Sequence, residues 1–131
     1  MNTFLLWIVL LEVFSNSLQM PTFSLNISQN TFAVLGEDLH LHCLVESLGF
    51  HTVSWVRQRD LKILTVGSHK FTTSNRISVT HNPRTKDFKL LIRQVRKEDL
   101  GRYECQINTV PVMIRVINLL LTDQIVLVSP H

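Results

Sequence analysis

Apolar residues recur at every second position in several short stretches of the chain, and turn-forming residues separate these stretches. Leu39, Leu41 and Cys43 share one parity in the first half of the chain, as Leu90 and Ile92 do in the second. A period of two is typical of strands that bury one face and expose the other. No stretch has a long helical repeat. The pattern therefore predicts an all-β domain of short antiparallel strands.

Two cysteines and a tryptophan stand at inward positions of these stretches. Cys43 comes first, Trp55 lies in the next stretch, and Cys105 ends the motif Asp-Leu-Gly-Arg-Tyr-Glu-Cys. An immunoglobulin sandwich has this order: a cysteine on strand B, a tryptophan on strand C packed over the disulfide, and a cysteine on strand F. The long interval between the cysteines leaves room for strands C′ and C″. The sequence therefore predicts an immunoglobulin variable-type (V-set) antiparallel β-sandwich with one inter-sheet disulfide.

The remaining stretches are assigned to strands around these three residues. Residues 81–84 are expected to form a turn, because proline cannot donate a hydrogen bond to a β-ladder. The expected strands are A at 23–27 with a continuation at 32–35, B at 39–45, C at 53–58, C′ at 62–66, C″ within 69–75, D at 77–79, E at 88–92, F at 103–108 and G at 112–121.

Four residues around strands D and F are expected to support the scaffold. Tyr103 should bond to upstream backbone at the E–F corner, and Gly101 should relieve the tight turn there. Asp99 should pair with Arg76 at the start of strand D. Closing a disulfide loop of about 60 residues adds about 4 kcal/mol of stability in the chain-entropy model. We expect these residues to determine the fold and not the choice of partner.

Residues 1–17 are expected to be a signal peptide. They contain an apolar run too short to cross a bilayer, where a helix needs roughly 20 residues, and small residues precede a plausible cleavage site. The predicted location is secreted or on the extracellular face of the plasma membrane, where a disulfide persists. Asn26 begins an Asn-x-Ser sequon and is a predicted glycosylation site. The immunoglobulin domain is placed at residues 22–122, and a short tail at 123–131 is expected to be unstructured.

Charge and motifs exclude several other functions. The formal net charge is +3 and the pI is near 9.2, but Lys and Arg are scattered among acidic residues, so no nucleic acid partner is predicted. His40 and His42 have a chelating spacing but no third ligand nearby, so no metal is predicted. No nucleophile elbow, phosphate loop or zinc-protease motif is present. The sequence predicts no enzyme, no cofactor and no small-molecule substrate.

The outer face of strands C, C′, F and G is the predicted binding surface. Alternation from the inward residues places these positions outward: Val56, Gln58, Gln106 and Asn108. In the favoured register of C′, Ile63 and Thr65 join them, whereas a slip of one residue would present Leu64 and Val66. Apolar residues rimmed by amides suit a protein–protein contact. Scattered surface apolar residues remain the alternative.

Four segments resemble a known group of adhesion proteins. Residues 53–57 read Val-Ser-Trp-Val-Arg, 63–65 read Ile-Leu-Thr, 76–82 read Arg-Ile-Ser-Val-Thr-His-Asn, and 103–109 read Tyr-Glu-Cys-Gln-Ile-Asn-Thr. Over about residues 30–121 the chain is similar to the first immunoglobulin domain of arthropod neuronal adhesion proteins. These are the lachesin and DIP proteins and their Dpr (defective proboscis extension response) partners, related to the IgLON proteins. Some segments look more like Dpr and others more like DIP or lachesin.

The resemblance implies neuronal cell–cell recognition and synaptic specificity, with first domains pairing through their C–C′–F–G faces. Carried over to this chain, the contact positions are Val56, Ile63, Thr65, Gln106 and Asn108. The partner would be another immunoglobulin-domain cell-surface protein, bound heterophilically or homophilically. Such proteins normally have further domains and a membrane anchor. This chain would then be a truncated gene model, an alternative product or a secreted single domain.

Two other binding functions remain open. An immune-type receptor or soluble antigen binder would use the loops at one end of the sandwich, which the short F–G connection disfavours. A glycan- or heparin-binding domain would use the scattered basic residues, and its binding would fall steeply with salt.

Overall fold

The structure, a computed structural model, describes residues 19–25 and 27–122. The predictions of a leader, a glycan at Asn26 and a tail at 123–131 concern residues outside these ranges. Within them the chain forms eleven strands and a 3₁₀ helix at Lys97–Asp99. The strands are β1 Thr22–Phe23, β2 Asn30–Ala33, β3 Leu39–Leu41, β4 Val45–Glu46, β5 Val53–Arg57, β6 Lys62–Val66, β7 His69–Lys70, β8 Ile77–Asn82, β9 Asp87–Ile92, β10 Gly101–Ile107 and β11 Met113–Leu121.

Two main sheets pack against each other. The larger sheet has the order β2-β11-β10-β5-β6-β7, which corresponds to strands A′, G, F, C, C′ and C″. The smaller has the order β3-β9-β8, or B, E and D, and a short β1–β4 ladder joins strand A to the end of strand B. All ladders are antiparallel except the β2–β11 pair. This arrangement confirms the predicted variable-type sandwich.

The disulfide and the tryptophan lie at the centre of the core. Cys43 is bonded to Cys105, and both are fully buried. Trp55 is buried, and its indole Nε1 donates to the carbonyl of Phe88 on β9 at 2.9 Å, which satisfies the one polar atom of its side chain. Inward residues of both sheets fill the space around them, as the alternation predicts: Ala33, Leu41, Val45, Val53, Leu64, Ile77, Phe88, Leu90, Ile92, Val95, Tyr103, Ile107, Ile117 and Leu119.

The corner before β10 contains the expected polar cluster. Arg76 donates two hydrogen bonds to the Asp99 carboxylate, at 2.7 and 2.9 Å, and the backbone N–H of Arg96 donates a third at 2.8 Å. The Tyr103 hydroxyl donates to the Asp99 carbonyl at 2.6 Å. Burial opposes ionisation of Asp99, but the bonds from Arg76 and Arg96 outweigh it, so the pKa of Asp99 lies below its ordinary value. Gly101 has a φ of +131°, a conformation that glycine adopts without steric cost.

Strand β8 is longer than predicted. It continues to Asn82, where the sequence predicts a turn from residue 81. His81 pairs with Phe88 across the ladder, and their rings stack with centroids 3.9 Å apart. The ladder ends just before Pro83, which has no N–H to donate. The turn therefore starts at Pro83, after the residues that were expected to begin it.

Candidate protein-binding face

The outer side of β5, β6, β10 and β11 is the candidate site, and we call it the C–C′–F–G face. Pairing across the four strands arranges its residues in rows. The central row runs Ile63, Val56, Glu104, Val116, and the row beside it runs Val66, Ser54, Gln106, Ile114. Arg102 pairs with Asn118 in a third row, next to Gln58.

The apolar residues of the face are partly solvent-exposed. Ile63 is 49% exposed on β6 and Ile114 is 46% exposed on β11, on opposite sides of the central strands. Val116 is half-buried, and Val56 between the two sides is almost covered by its neighbours. Exposed apolar side chains thus lie on β6 and β11, with Glu104 and Gln106 of β10 between them. Apolar residues interleaved with polar ones in this way suit a protein-binding site.

The turn between β5 and β6 holds one side of the face. The Arg57 guanidinium donates to both carboxylate oxygens of Asp60, at 2.9 and 2.8 Å. These hydrogen bonds lower the pKa of Asp60 to about 2. Leu61, beside Asp60, takes a φ of +53° and completes the reversal. The hairpin directs Lys62 and Ile63 alongside the end of β5.

The register of β6 corrects the sequence prediction. A β-bulge lies between the pair Trp55–Thr65 and the pair Val56–Ile63, so that Leu64 has no opposite residue. The bulge turns both Leu64 and Thr65 into the core, where each is fully buried. The prediction that Thr65 is exposed on the face is therefore wrong. Its Oγ1 instead accepts a hydrogen bond from the backbone N–H of Trp55 at 3.2 Å.

Four of the six predicted contact residues remain accessible. Ile63 and Asn108 are exposed, and Gln58 and Gln106 are partly exposed. Val56 has the predicted orientation but is only 7% exposed, so it can contribute only the surface that its neighbours leave open. As contacts with a partner, these positions stay predictions.

The sequence reasoning missed the contribution of β11, and it placed Val66 outward only in the alternative register of C′. Ile114 and Val116 pair with Gln106 and Glu104, so they belong to the middle of the face. Alternation from an inward residue of β11, such as Ile117, would have identified them. Val66 pairs with the outward Ser54, but only because of the bulge. No sequence pattern marks that bulge.

The opposite sheet offers a different, polar surface. His42 Nδ1 lies 2.7 Å from Asp87 Oδ2, and the rings of His40 and His42 are 6.4 Å apart. In the part of the chain that the structure describes, no three His, Cys, Asp or Glu residues are grouped so as to hold a metal ion. A cleft of about 490 Å³ on this side is lined mainly by residues of β8, β9 and the turn between them. Among the described residues that line it, no hydroxyl is hydrogen-bonded to a histidine or a carboxylate.

Within residues 19–25 and 27–122, no helix is long and apolar enough to cross a membrane.

The chain is similar to a protein family and to several solved structures. Residues 21–121 match the immunoglobulin V-set domain. A chain of the crystal structure of Dpr1 IG1 bound to DIP-eta IG1 is 36% identical, with a TM-score of 0.75 over 79% of this chain and 98% of that one. A chain of Dpr2 Ig1-Ig2 in complex with DIP-Theta Ig1-Ig3 is 33% identical, with a TM-score of 0.76 over 86% of this chain and 49% of that one. This chain thus spans about half of that longer structure.

The RIG-5 IG1 homodimer is also similar, at 27% identity and a TM-score of 0.72, over 79% of this chain and 99% of that one. The variable-type frame, the domain match and the similarity to Dpr and DIP first domains agree with one another. The chain belongs to the immunoglobulin V-set family and is a first immunoglobulin domain of the Dpr and DIP type.

Proposed function

We propose that this chain is a secreted or cell-surface recognition domain that binds another immunoglobulin domain through its C–C′–F–G face, in neuronal cell–cell recognition. The observation that carries the proposal is the apolar surface that β6 and β11 present on either side of β5 and β10. Ile63 and Ile114 retain nearly half of their exposure on it, and no other described segment of the chain covers them. Burying such side chains against a partner removes apolar surface from water, which is favourable by about 25 cal/mol for each Å² before the entropy lost on association is subtracted.

The solved structures support an immunoglobulin partner. Dpr1 IG1 is bound to DIP-eta IG1, and RIG-5 IG1 forms a homodimer. Both heterophilic and homophilic pairing therefore occur among proteins similar to this one, and the binding assay must include both.

The extracellular location rests on the disulfide and on the sequence predictions for residues 1–17 and Asn26. A buried bridge between Cys43 and Cys105 persists in an oxidising compartment. Secretion into the medium with the N-terminus beginning at Leu18, and a mass shift on glycosidase treatment that Asn26→Gln removes, would support these predictions.

A pair of substitutions tests the location of the binding site. Ile63→Asp places a charge in the apolar surface, and Phe50→Asp places the same charge on the fully exposed tip of the B–C connection. Binding is measured by surface plasmon resonance against the Dpr1, DIP-eta, Dpr2, DIP-Theta and RIG-5 first domains, and self-association is measured by sedimentation of the chain alone. We expect Ile63→Asp to weaken the strongest binding at least a hundredfold, and Phe50→Asp to leave it unchanged.

Both variants should fold, because the side chain of Ile63 is 49% exposed and that of Phe50 is fully exposed. Their melting temperatures check this. Unchanged affinity of Ile63→Asp would reject the C–C′–F–G face. Loss of binding in Phe50→Asp instead would favour the loop-end receptor. Binding to heparin that disappears as salt is raised would favour the glycan-binding alternative.

A further inference from the structure

Glu104 occupies an unusual place on the C–C′–F–G face. It lies on β10 between Tyr103 and Cys105, which both point into the core, so its own side chain points outward. Its neighbours across the sheet are Val56 on β5 and Val116 on β11. Despite its outward direction the residue is only 7% exposed. A carboxylate thus sits, mostly shielded from water, in the central apolar row of the face.

The hydrogen bonding of this carboxylate is incomplete. Its Oε1 accepts from Nε2 of Gln106 at 2.9 Å. Its Oε2 lies 3.7 Å from Nε of Arg102, which is an ion-pair distance but longer than a hydrogen bond. The Arg102 side chain is half-exposed, and its charge is therefore largely screened by solvent. An ionised carboxylate can accept about four hydrogen bonds.

A partner that covers the face removes the water that still reaches Glu104. A carboxylate shielded from water is strongly destabilising unless it is paired and hydrogen-bonded. We propose that the partner domain presents a cationic hydrogen-bond donor, a Lys or Arg side chain, to Oε2 of Glu104 at the centre of an otherwise apolar contact. This inference rests on the proposed function, and it specifies the chemistry of the partner.

The competing explanation is that Glu104 stabilises the free domain through Gln106 and Arg102. Two variants separate the explanations without any partner. Glu104→Gln removes the charge at nearly constant shape, and Glu104→Val continues the apolar row between Val56 and Val116. We expect both variants to melt within about 2 °C of the original chain or above it, since one hydrogen bond and one long ion pair do little more than offset the cost of shielding the carboxylate from water. A fall of more than about 5 °C in both would show a structural role and overturn the inference.

The binding arm uses the strongest interaction found among the five first domains and the chain itself. We expect Glu104→Gln to weaken it by roughly tenfold to a hundredfold, because a charge-assisted hydrogen bond in a desolvated contact is lost. The affinity of this variant should also depend less on salt. Glu37→Gln is the matched control, since Glu37 is exposed on the turn between β2 and β3, and it should bind like the original chain.

The outcomes distinguish this inference from the proposed function. If Ile63→Asp abolishes binding and Glu104→Gln binds as well as the original chain or more tightly, the face is correct and the cationic donor is not. If Ile63→Asp has no effect, the proposed function itself fails. Absence of binding to all five domains, together with a monomeric chain in sedimentation, would reject both.

Discussion

Tyr103→Phe removes a single oxygen atom from the corner that connects the two sheets. The Tyr103 hydroxyl is buried and donates to the Asp99 carbonyl at 2.6 Å. Its loss removes one hydrogen bond, worth about 1 kcal/mol, and leaves a carbonyl less satisfied, which costs about 1 kcal/mol more. We expect the free energy of unfolding to fall by about 2 kcal/mol, and the melting temperature by roughly 10 °C for a domain of this size.

Ionisation of the same hydroxyl should lower the stability of the domain at alkaline pH. Burial, with the nearby Asp99 carboxylate, raises the pKa of Tyr103 to about 12 from an ordinary value of 10.0. The folded state therefore favours the neutral phenol, and the contribution of this phenol to the free energy of unfolding is fully present below pH 10. It is lost as the pH rises toward 12. At about 1.4 kcal/mol for each pKa unit, the loss amounts to between 2 and 3 kcal/mol.

The assay is direct because the chain has 1 tyrosine. Tyrosinate absorbance follows the ionisation of Tyr103 in the folded chain, and urea unfolding at several pH values follows its energetic consequence. Tyr103→Phe should show a flatter decline of stability between pH 10 and 12 than the original chain, with lysine titration common to both. A tyrosinate transition near pH 10 in the folded chain, or parallel alkaline declines, would refute the reasoning.

Two further substitutions test the core and the corner. Arg76→Met should cost about 3 kcal/mol in urea unfolding, because it leaves the buried Asp99 carboxylate without its cation. Because the pKa of Asp99 is lowered in the fold, its ionised carboxylate adds to the free energy of unfolding above pH 4, and this contribution disappears as the pH falls. Arg76→Met should therefore make the free energy of unfolding fall less steeply at acidic pH. An unchanged slope would contradict this reasoning. Thr65→Val should cost about 1 kcal/mol, because the hydrogen bond from the Trp55 N–H to Oγ1 of Thr65 is lost in the core. A stability equal to that of the original chain would show that the Thr65 hydroxyl is dispensable.

The fold was predictable because the strands alternate around fixed inward residues. Cys43, Trp55 and Cys105 determine the parity of three strands, and every second residue then follows. The corner cluster was predictable for a related reason. Asp99 and Arg76 stand far apart in sequence, but the topology of a variable-type sandwich brings strand D beside the turn before strand F.

The site was predictable only in part, because alternation fails where a strand is irregular. The bulge in β6 places Leu64 and Thr65 on the same side, so Ile63 follows the favoured register and Val66 follows the slipped one. Neither register alone describes the strand. The burial of Glu104 was not predictable at all, since it depends on how far the side chains of its neighbours extend over it, and a period of two contains no such information.

The bulge places a residue that stabilises the domain and a residue of the binding face close together on β6. It places Thr65 in the core, where its hydroxyl accepts a hydrogen bond from the backbone N–H of Trp55, while Ile63 remains outside and 49% exposed. A substitution at Thr65 should therefore lower binding only by unfolding the domain, whereas a substitution at Ile63 should lower binding while the domain stays folded. The two residues are two positions apart on one strand. Measured together, affinity and melting temperature would show whether the surface that binds is the one that this bulge leaves exposed.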